Sequence, residues 1–501
     1  MLAKRITISA LAFLFMQFNL VHADELALGS ITFPNSGAAE AQPAFLSGVK
    51  ALHSFQFNEA RMAFEEAQKI DPSFVLAYWG QAMSDNHPLW RQQDVEAATA
   101  ALNRLAPTFE DRLKKAETEK EKAFLEAIEI LYYSAEDKLE RDFAYSAYMA
   151  DMHERWPDDH EVSVLYALSL LGTVRRGDEG FRRQAKAAAI SQEIYAQNQN
   201  HPGAAHFIIH SFDDPDHAIL ALPAAQVYAG IAPAAAHALH MPSHIFVQLG
   251  MWDRVVASNI EAYAAATAAI EEFGFAEGRE DFHTLSWLAY ANLMLGEFDR
   301  AADNLQSAMA AVDRNAGNKD VYEGYLSMRG RHMIETGQWE ELGLAEAGTD
   351  AGNHPNWVSV VGMSAAHRGD TDTAMAAVER LDSLSAAAAA KGSAYSAKQI
   401  AILAKEVTAL AKLGGGDKDG AVMVAREAAE MELRDMTAPS GPPVPMKPAV
   451  ELYGDILLAA GRPVEAVEAY QRSLAWIPLR TPSVRGLEQA IAQANNAQAS
   501  N

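Results

Sequence analysis

The chain has no cysteine in its 501 residues. That excludes disulfides, thiolate metal sites, thiol nucleophiles and lipid attachment through a cysteine. Any metal must then be held by His, Asp or Glu. Basic side chains are also scarce, with 41 Lys and Arg against 66 Asp and Glu and a formal net charge of −25. Such a balance argues against nucleic-acid and anionic-membrane partners, because phosphate contacts need clustered Lys and Arg. No Ser-His-Asp motif, phosphate-cradling glycine loop or dinucleotide fingerprint appears. Long apolar runs are missing after the first segment. There Lys4 and Arg5 precede an apolar run from Ile6 to Leu20, and Val21-His22-Ala23 offers small residues at a cleavage edge. Gln17 and Asn19 interrupt that run, which at about 15 residues is short of the roughly 20 needed to span a bilayer. Residues 1–23 are therefore expected to be a secretory signal peptide. The mature protein is expected to be periplasmic, with no membrane span.

What is present is helical. Hydrophobic residues make up 49% of the chain, and they recur at three and four with hardly any alternation, the period of amphipathic helices. One spacing repeats. Gly454, Gly461, Ala466, Tyr470, Ser473 and Pro478 follow steps of 7, 5, 4, 3 and 5, and Gly48, Phe55, Ala60, Phe64, Ala67 and Pro72 follow the same steps. Ala289, Gly296, Ala301, Leu305 and Ala308 repeat it without the proline, and Gly362, Gly369, Ala374 and Val378 in part. Small residues let paired helices approach, a glycine or aromatic takes the turn, and proline ends the second helix. The pattern resembles the tetratricopeptide repeat. The resemblance implies an all-α, right-handed α-solenoid of helix pairs, a single continuous superhelix whose first helices line a concave groove.

The expected organisation is an N-terminal extension over 24–43, repeats over 44–200, a histidine-rich repeat segment over 201–270, and repeats over 271–436. Turn glycines at Gly250, Gly296, Gly337, Gly369, Gly416 and Gly461 mark the later units. Ser385 to Lys391 reads as a helix end with Gly392 behind it. The segment 437–448 holds Pro439, Pro442, Pro443, Pro445 and Pro448 and must be extended. It is either a spacer or a strap lying in the groove. A C-terminal repeat over 449–490 and a disordered tail over 491–501 complete the chain.

Seven of the 16 histidines fall between His201 and His244. His206 and His210 are four apart and share one face of a helix, a spacing that can grip one divalent transition metal. The metalloprotease signature has this spacing, but Phe207 stands where its catalytic glutamate would be. His237, His240 and His244 follow at three and four. Pro242 favours a helix's first turn, which leaves His237 and His240 in the lead-in and projects His244 from the helix. His283 opens the next first helix and is expected to reach the same place. Asp213, Asp214 and Asp216 lie just beyond His210. Asp213 would serve as a ligand or orient an imidazole, or Asp213 and Asp214 would only cap a helix entered at Pro215. His53 and His87 are weaker candidates. His153, His160, His332, His354 and His367 read as ordinary packed polar groups.

Most of residues 44 to 490 resembles a family of bacterial secreted or soluble tetratricopeptide-repeat proteins, through LHSFQFNEARMAFEEAQKIDPSF, AYWGQAM with HPLW, HPGAAHFIIH, HALHMPSHIFVQLGMWD and the prolines before LYGDILLAAGR. The chain departs from that pattern at Phe74, where relatives carry a cysteine, and at Val444 and Met446, where they carry aromatics. The resemblance implies no known reaction. The leading expectation is a histidine-built site for zinc, copper or iron in the groove, from His206, His210 and His244, with His240 and His237 next and Asp213 or His283 supporting. The alternatives are a scaffold that binds a peptide or protein partner in the groove, its histidines structural, and a metal carrier. Whether the protein is an enzyme is left open by its residues.

Overall fold

The computed structural model describes residues 28–175, 178, 180–278, 280–344 and 353–499. The expected signal peptide lies outside them. The described chain is almost entirely helical, with one two-residue antiparallel ladder pairing Asn86–His87 with Gln92–Gln93. Consecutive helices pack on one another, as repeated helix pairs require. The chain divides into two compact units. The first comprises residues up to Ser211 together with Val227–Ala238; the second comprises Phe212–Gln226 and everything from Leu239 onward.

In the first unit the pairs include Gln42–His53 with Phe57–Ile70, Val75–Ser84 with Val95–Leu105, and His160–Gly172 with Arg182–Gln197. The repeat spacing has a direct physical basis here. Phe64 fills the gap between Gly48 and Gly80, where an added Cβ would meet its ring at 2.8 and 2.3 Å. The ring therefore locks its own pair and the next one together. The expected N-terminal extension is part of this core, since Phe33 packs on Phe45, Trp79 and Phe124.

The second unit runs from Pro242–Gln248 with Trp252–Phe273, through Glu280–Leu295 with Phe298–Arg314, to Ala449–Ala459 with Pro463–Trp476. Tyr470 repeats the role of Phe64 between Gly454 and Gly486. The turn glycines adopt the left-handed conformation, with φ from 63° at Gly250 to 85° at Gly416, which L side chains adopt only at a cost. Helix Thr371–Ala390 ends at Lys391 as expected. Residues 491–499 of the tail expected to be disordered are helical instead, in a last helix that runs Thr481–Ala499. Its alanines and glutamines have high intrinsic helix propensity, and Ala490 is buried in the unit's core.

The proline-rich segment is a strap. It is tied to first helices of the second unit. Gln248 donates to the Pro439 carbonyl at 3.0 Å, Arg331 to that of Pro443 at 2.7 Å, and Gln399 to that of Val444 at 3.3 Å. Gly441 lies so close to Trp287 that a Cβ would sit 2.3 Å from the indole. Met446 is buried beside Trp357 and Met333. Proline-rich backbone cannot complete a helical ladder, so its carbonyls are satisfied by side chains from the helices beneath.

Candidate metal centres

The histidines gather into groups of three, each inside one unit. In the first unit, His206 and His210 lie one turn apart on helix Pro202–Ser211, and His237 comes from the short helix Ala236–His240. One ring nitrogen from each lies within 4.8 Å of the other two. The Nδ1 of His206 is 2.6 Å from the carbonyl oxygen of His53. A carbonyl only accepts, so Nδ1 carries the proton and, in the neutral ring, Nε2 carries the lone pair. Aromatic rings wall the group: Phe55 is 4.4 Å from the His206 ring and 5.5 Å from those of His210 and His237. Tyr228 stacks on His206 at 5.1 Å. Phe55 occupies the turn position that later repeats give to glycine, with φ of 54°.

In the second unit, His240, His244 and His283 form a tighter group. The Nε2 of His240 is 3.2 Å from that of His244 and 2.9 Å from that of His283. The other nitrogens of two rings are committed. Nδ1 of His244 donates to Asp213 Oδ2 at 2.7 Å, and Nδ1 of His240 to Asn259 Oδ1 at 2.7 Å. The Asn259 amide nitrogen donates to the Val255 carbonyl at 2.8 Å, which turns its oxygen toward His240. In their neutral forms His240 and His244 thus present lone pairs to each other. Two acceptors at this distance repel unless a cation or a shared proton lies between them. Trp287 packs on both rings at 4.9 and 4.5 Å. His283 has an exposed edge; desolvation of its inward side, then the neighbouring His244, pushes its pKa down to about 4. It is accordingly a neutral donor at physiological pH.

This geometry divides the expected ligands differently from the sequence. His206 and His210 join His237, whereas His244 joins His240 and His283. His237 and His240 share the short helix Ala236–His240 yet complete different groups, and His244 follows on Pro242–Gln248. Asp213 orients His244. Asp214 accepts from the backbone N–H groups of Asp216 and His217, and the helix begins at Ala218, not at Pro215.

A third group is fully buried and of another kind. His53 Nε2 lies 2.6 Å from Glu161 Oε2, and His201 Nε2 lies 3.1 Å from Oε1. The backbone N–H of Ala204 donates to His201 Nδ1, so Nε2 of that ring holds a proton and donates to the carboxylate. Burial alone would raise the pKa of Glu161, but the two imidazoles outweigh it and hold it at about 2. Both carboxylate oxygens are engaged by imidazoles, which makes this a hydrogen-bonded brace. It fixes His53, whose carbonyl in turn orients His206. Other histidines pack as expected: His153 bonds Ser163, His160 bonds Gln197, and His367 stacks on Trp339. His87 stacks on Phe57.

Phe55, Asn259, Glu161 and Trp287 were not anticipated as part of these sites. Only Phe55 carried a local signal, an aromatic at a glycine's turn position.

No protein-family model matches the chain, and no curated protein matches it significantly. Solved structures of similar course include a Rap protein complexed with competence and sporulation factor, at 13% identity and TM-score 0.37, covering 79% of this chain and 98% of that one. Another is the Cut9–Hcn1 hetero-tetramer of the APC/C, at 14% identity and TM-score 0.35, covering 92% of this chain and 78% of that one. The human IFIT1 dimer with m7Gppp-AAAA aligns at 11% identity and TM-score 0.31, over 91% and 92%. Likeness at this level assigns no function.

Proposed function

We propose that this is a secreted helical-repeat protein that binds a divalent transition metal through His240, His244 and His283. The observation that carries the reading is the facing pair of Nε2 atoms on His240 and His244, each with Nδ1 already committed to an oxygen. Metal-bound imidazoles show this arrangement, in which a carboxylate or amide on the far nitrogen fixes the tautomer and raises ligand basicity. Zinc–nitrogen bonds of about 2.0–2.1 Å at tetrahedral angles place ligand nitrogens roughly 3.4 Å apart. The observed separations of 2.9 and 3.2 Å need only small outward shifts. Three nitrogens and no thiolate suit zinc, copper(II) or iron(II).

The exposed edge of His283 leaves one side of the site open to water or to a substrate oxygen, the arrangement of a catalytic or exchangeable centre rather than a closed structural one. If the centre is catalytic, the ion would polarise that oxygen or lower the pKa of water. His206, His210 and His237 make a second offer of the same kind, with the His53 carbonyl as the orienting group. The scaffold reading loses ground in the second unit, because the strap already occupies the face of the first helices that a peptide would use.

Metal content decides the matter. Protein purified from the periplasm without chelator or histidine tag is expected to hold near-stoichiometric metal. His244→Ala and His283→Ala should lose that equivalent, and mass spectrometry should find the N-terminus near Asp24. A proton shared between His240 and His244 would satisfy the same geometry. It would show as wild-type protein that takes up no zinc, copper or cobalt on reconstitution, and that result rejects the site.

A further inference from the structure

Beneath the strap, in the second unit, lies a cavity of about 200 Å³. Its walls are mainly apolar, including Leu293, Leu305 and one side of Trp287, and Pro442 and Val444 of the strap line it as well. That is room for a small organic molecule, not only for water. In a chain of net charge −25, no carboxylate among the described residues lines it, and the one charged lining residue among them is Arg331. Arg331 is only 7% exposed. Its Nη2 donates to the Pro443 carbonyl, while Nη1 has no hydrogen-bond partner among the described residues. The guanidinium lies over the Tyr290 ring at 5.2 Å, and the Glu335 charge that acts on it is shared with Arg480, which holds that carboxylate at 2.7 Å. His332, also lining the cavity, has its Nε2 buried without a partner among the described residues.

A buried guanidinium with an unsatisfied donor is costly unless an anion completes it. The walls specify the anion further. A multiply charged ion would leave its charge facing leucine, whereas one carboxylate on an apolar body satisfies both surfaces. We propose that the cavity binds a small monocarboxylate with an apolar tail, its carboxylate on Arg331 and His332 and its tail against Leu293, Leu305 and Trp287. This site stands apart from the metal reading, although Trp287 serves as a wall to both.

The test is isothermal titration calorimetry on the full chain stripped of metal, so its outcome does not depend on the histidine groups. The probes are 3-phenylpropionate, its uncharged amide and inorganic phosphate. The carboxylate is expected to bind at one site, with the amide and phosphate each roughly tenfold weaker or more, since a hydrogen bond to a charged group is worth about 1.5–3 kcal/mol. Arg331→Met should weaken the carboxylate by a similar factor. Arg331 also ties down the strap, so Ser327→Leu serves as a second variant that fills the cavity while leaving that bond in place; it should weaken binding as much. Absence of saturable carboxylate binding overturns the proposal. So does an amide or phosphate that binds as tightly, or a Ser327→Leu protein that binds as wild type does.

Discussion

Asp213→Asn is the most informative single change at the second histidine group. Asp213 and His244 are 11% and 13% exposed, and Asp213 Oδ2 accepts the His244 Nδ1 proton at 2.7 Å. Asp213 Oδ1 is buried with no hydrogen-bond partner among the described residues, so little but His244 compensates that carboxylate. When an imidazole donates electron density to a cation, positive charge spreads to Nδ1–H, and a carboxylate there strengthens the bond. Asparagine retains the size and an accepting oxygen but not the charge. A hydrogen bond to a charged group contributes about 1.5–3 kcal/mol, and loss of such an orienting partner typically costs roughly 10–100-fold in metal affinity. The two estimates coincide. Competition against a chromophoric chelator should therefore place the variant's metal Kd about 10–100-fold above wild type, with an unchanged urea midpoint. If Asp213→Asn binds as wild type while His244→Ala loses the metal, the orienting argument fails. If both bind as wild type, the site itself is wrong.

Other outcomes follow from packing and charge. Arg480 is fully buried and joins Glu451 at 2.8 and 3.1 Å and Glu335 at 2.7 Å; Arg480→Met leaves those carboxylates short of a partner and should cost about 3–5 kcal/mol by urea denaturation. Gly441→Ala drives a Cβ into Trp287 and should lose about 1–3 kcal/mol, with faster proteolytic cleavage within 437–448 as the strap lifts. Burial of Glu432 raises its pKa from 4.5 to about 7. The folded form thus holds a proton that the unfolded chain has released. Stability should fall by about 3 kcal/mol as pH rises from 4.5 to 7, and Glu432→Gln should flatten that slope. A slope of unchanged size in the variant would assign it elsewhere.

The repeat was legible because its packing is local. Gly48 and Phe64, or Gly454 and Tyr470, meet across one helical turn-back, so their spacing along the chain is their spacing in the fold. His206 and His210 were legible for the same reason, being neighbours on one helix face. The partition of the other histidines was not. His237 and His240 sit three apart on one short helix, yet they complete different groups, and their partners His206 and His283 lie 31 residues before and 43 residues after. Asn259 reaches His240 from helix Trp252–Phe273, two helices on, where an asparagine at that position carries no distinguishing pattern. The cavity is less legible still: Arg331 meets the Pro443 carbonyl across 112 residues, and His332 beside it reads from sequence as one more packed histidine. Polar, exposed residues in the final helix suggest disorder, whereas its alanines and glutamines favour helix once Leu487 and Ala490 anchor it.

Two departures from repeat regularity fall at the histidine groups. Later turns use glycine at no steric cost, while Phe55 holds a left-handed φ that costs an L-residue about 1–2 kcal/mol. Its ring then packs on all three histidines of the first group, where a glycine would leave a void. Likewise an uninterrupted helix through residues 236–248 would serve packing better than two pieces of five and seven residues. Pro242, which lacks an N–H, divides that stretch after His240 and leaves His244 in the second piece. Natural sequences violate local rules chiefly where a site requires it. Here two such violations, at the Phe55 turn and at Pro242, fall within the histidine groups, and the regular repeats supply the packing around them.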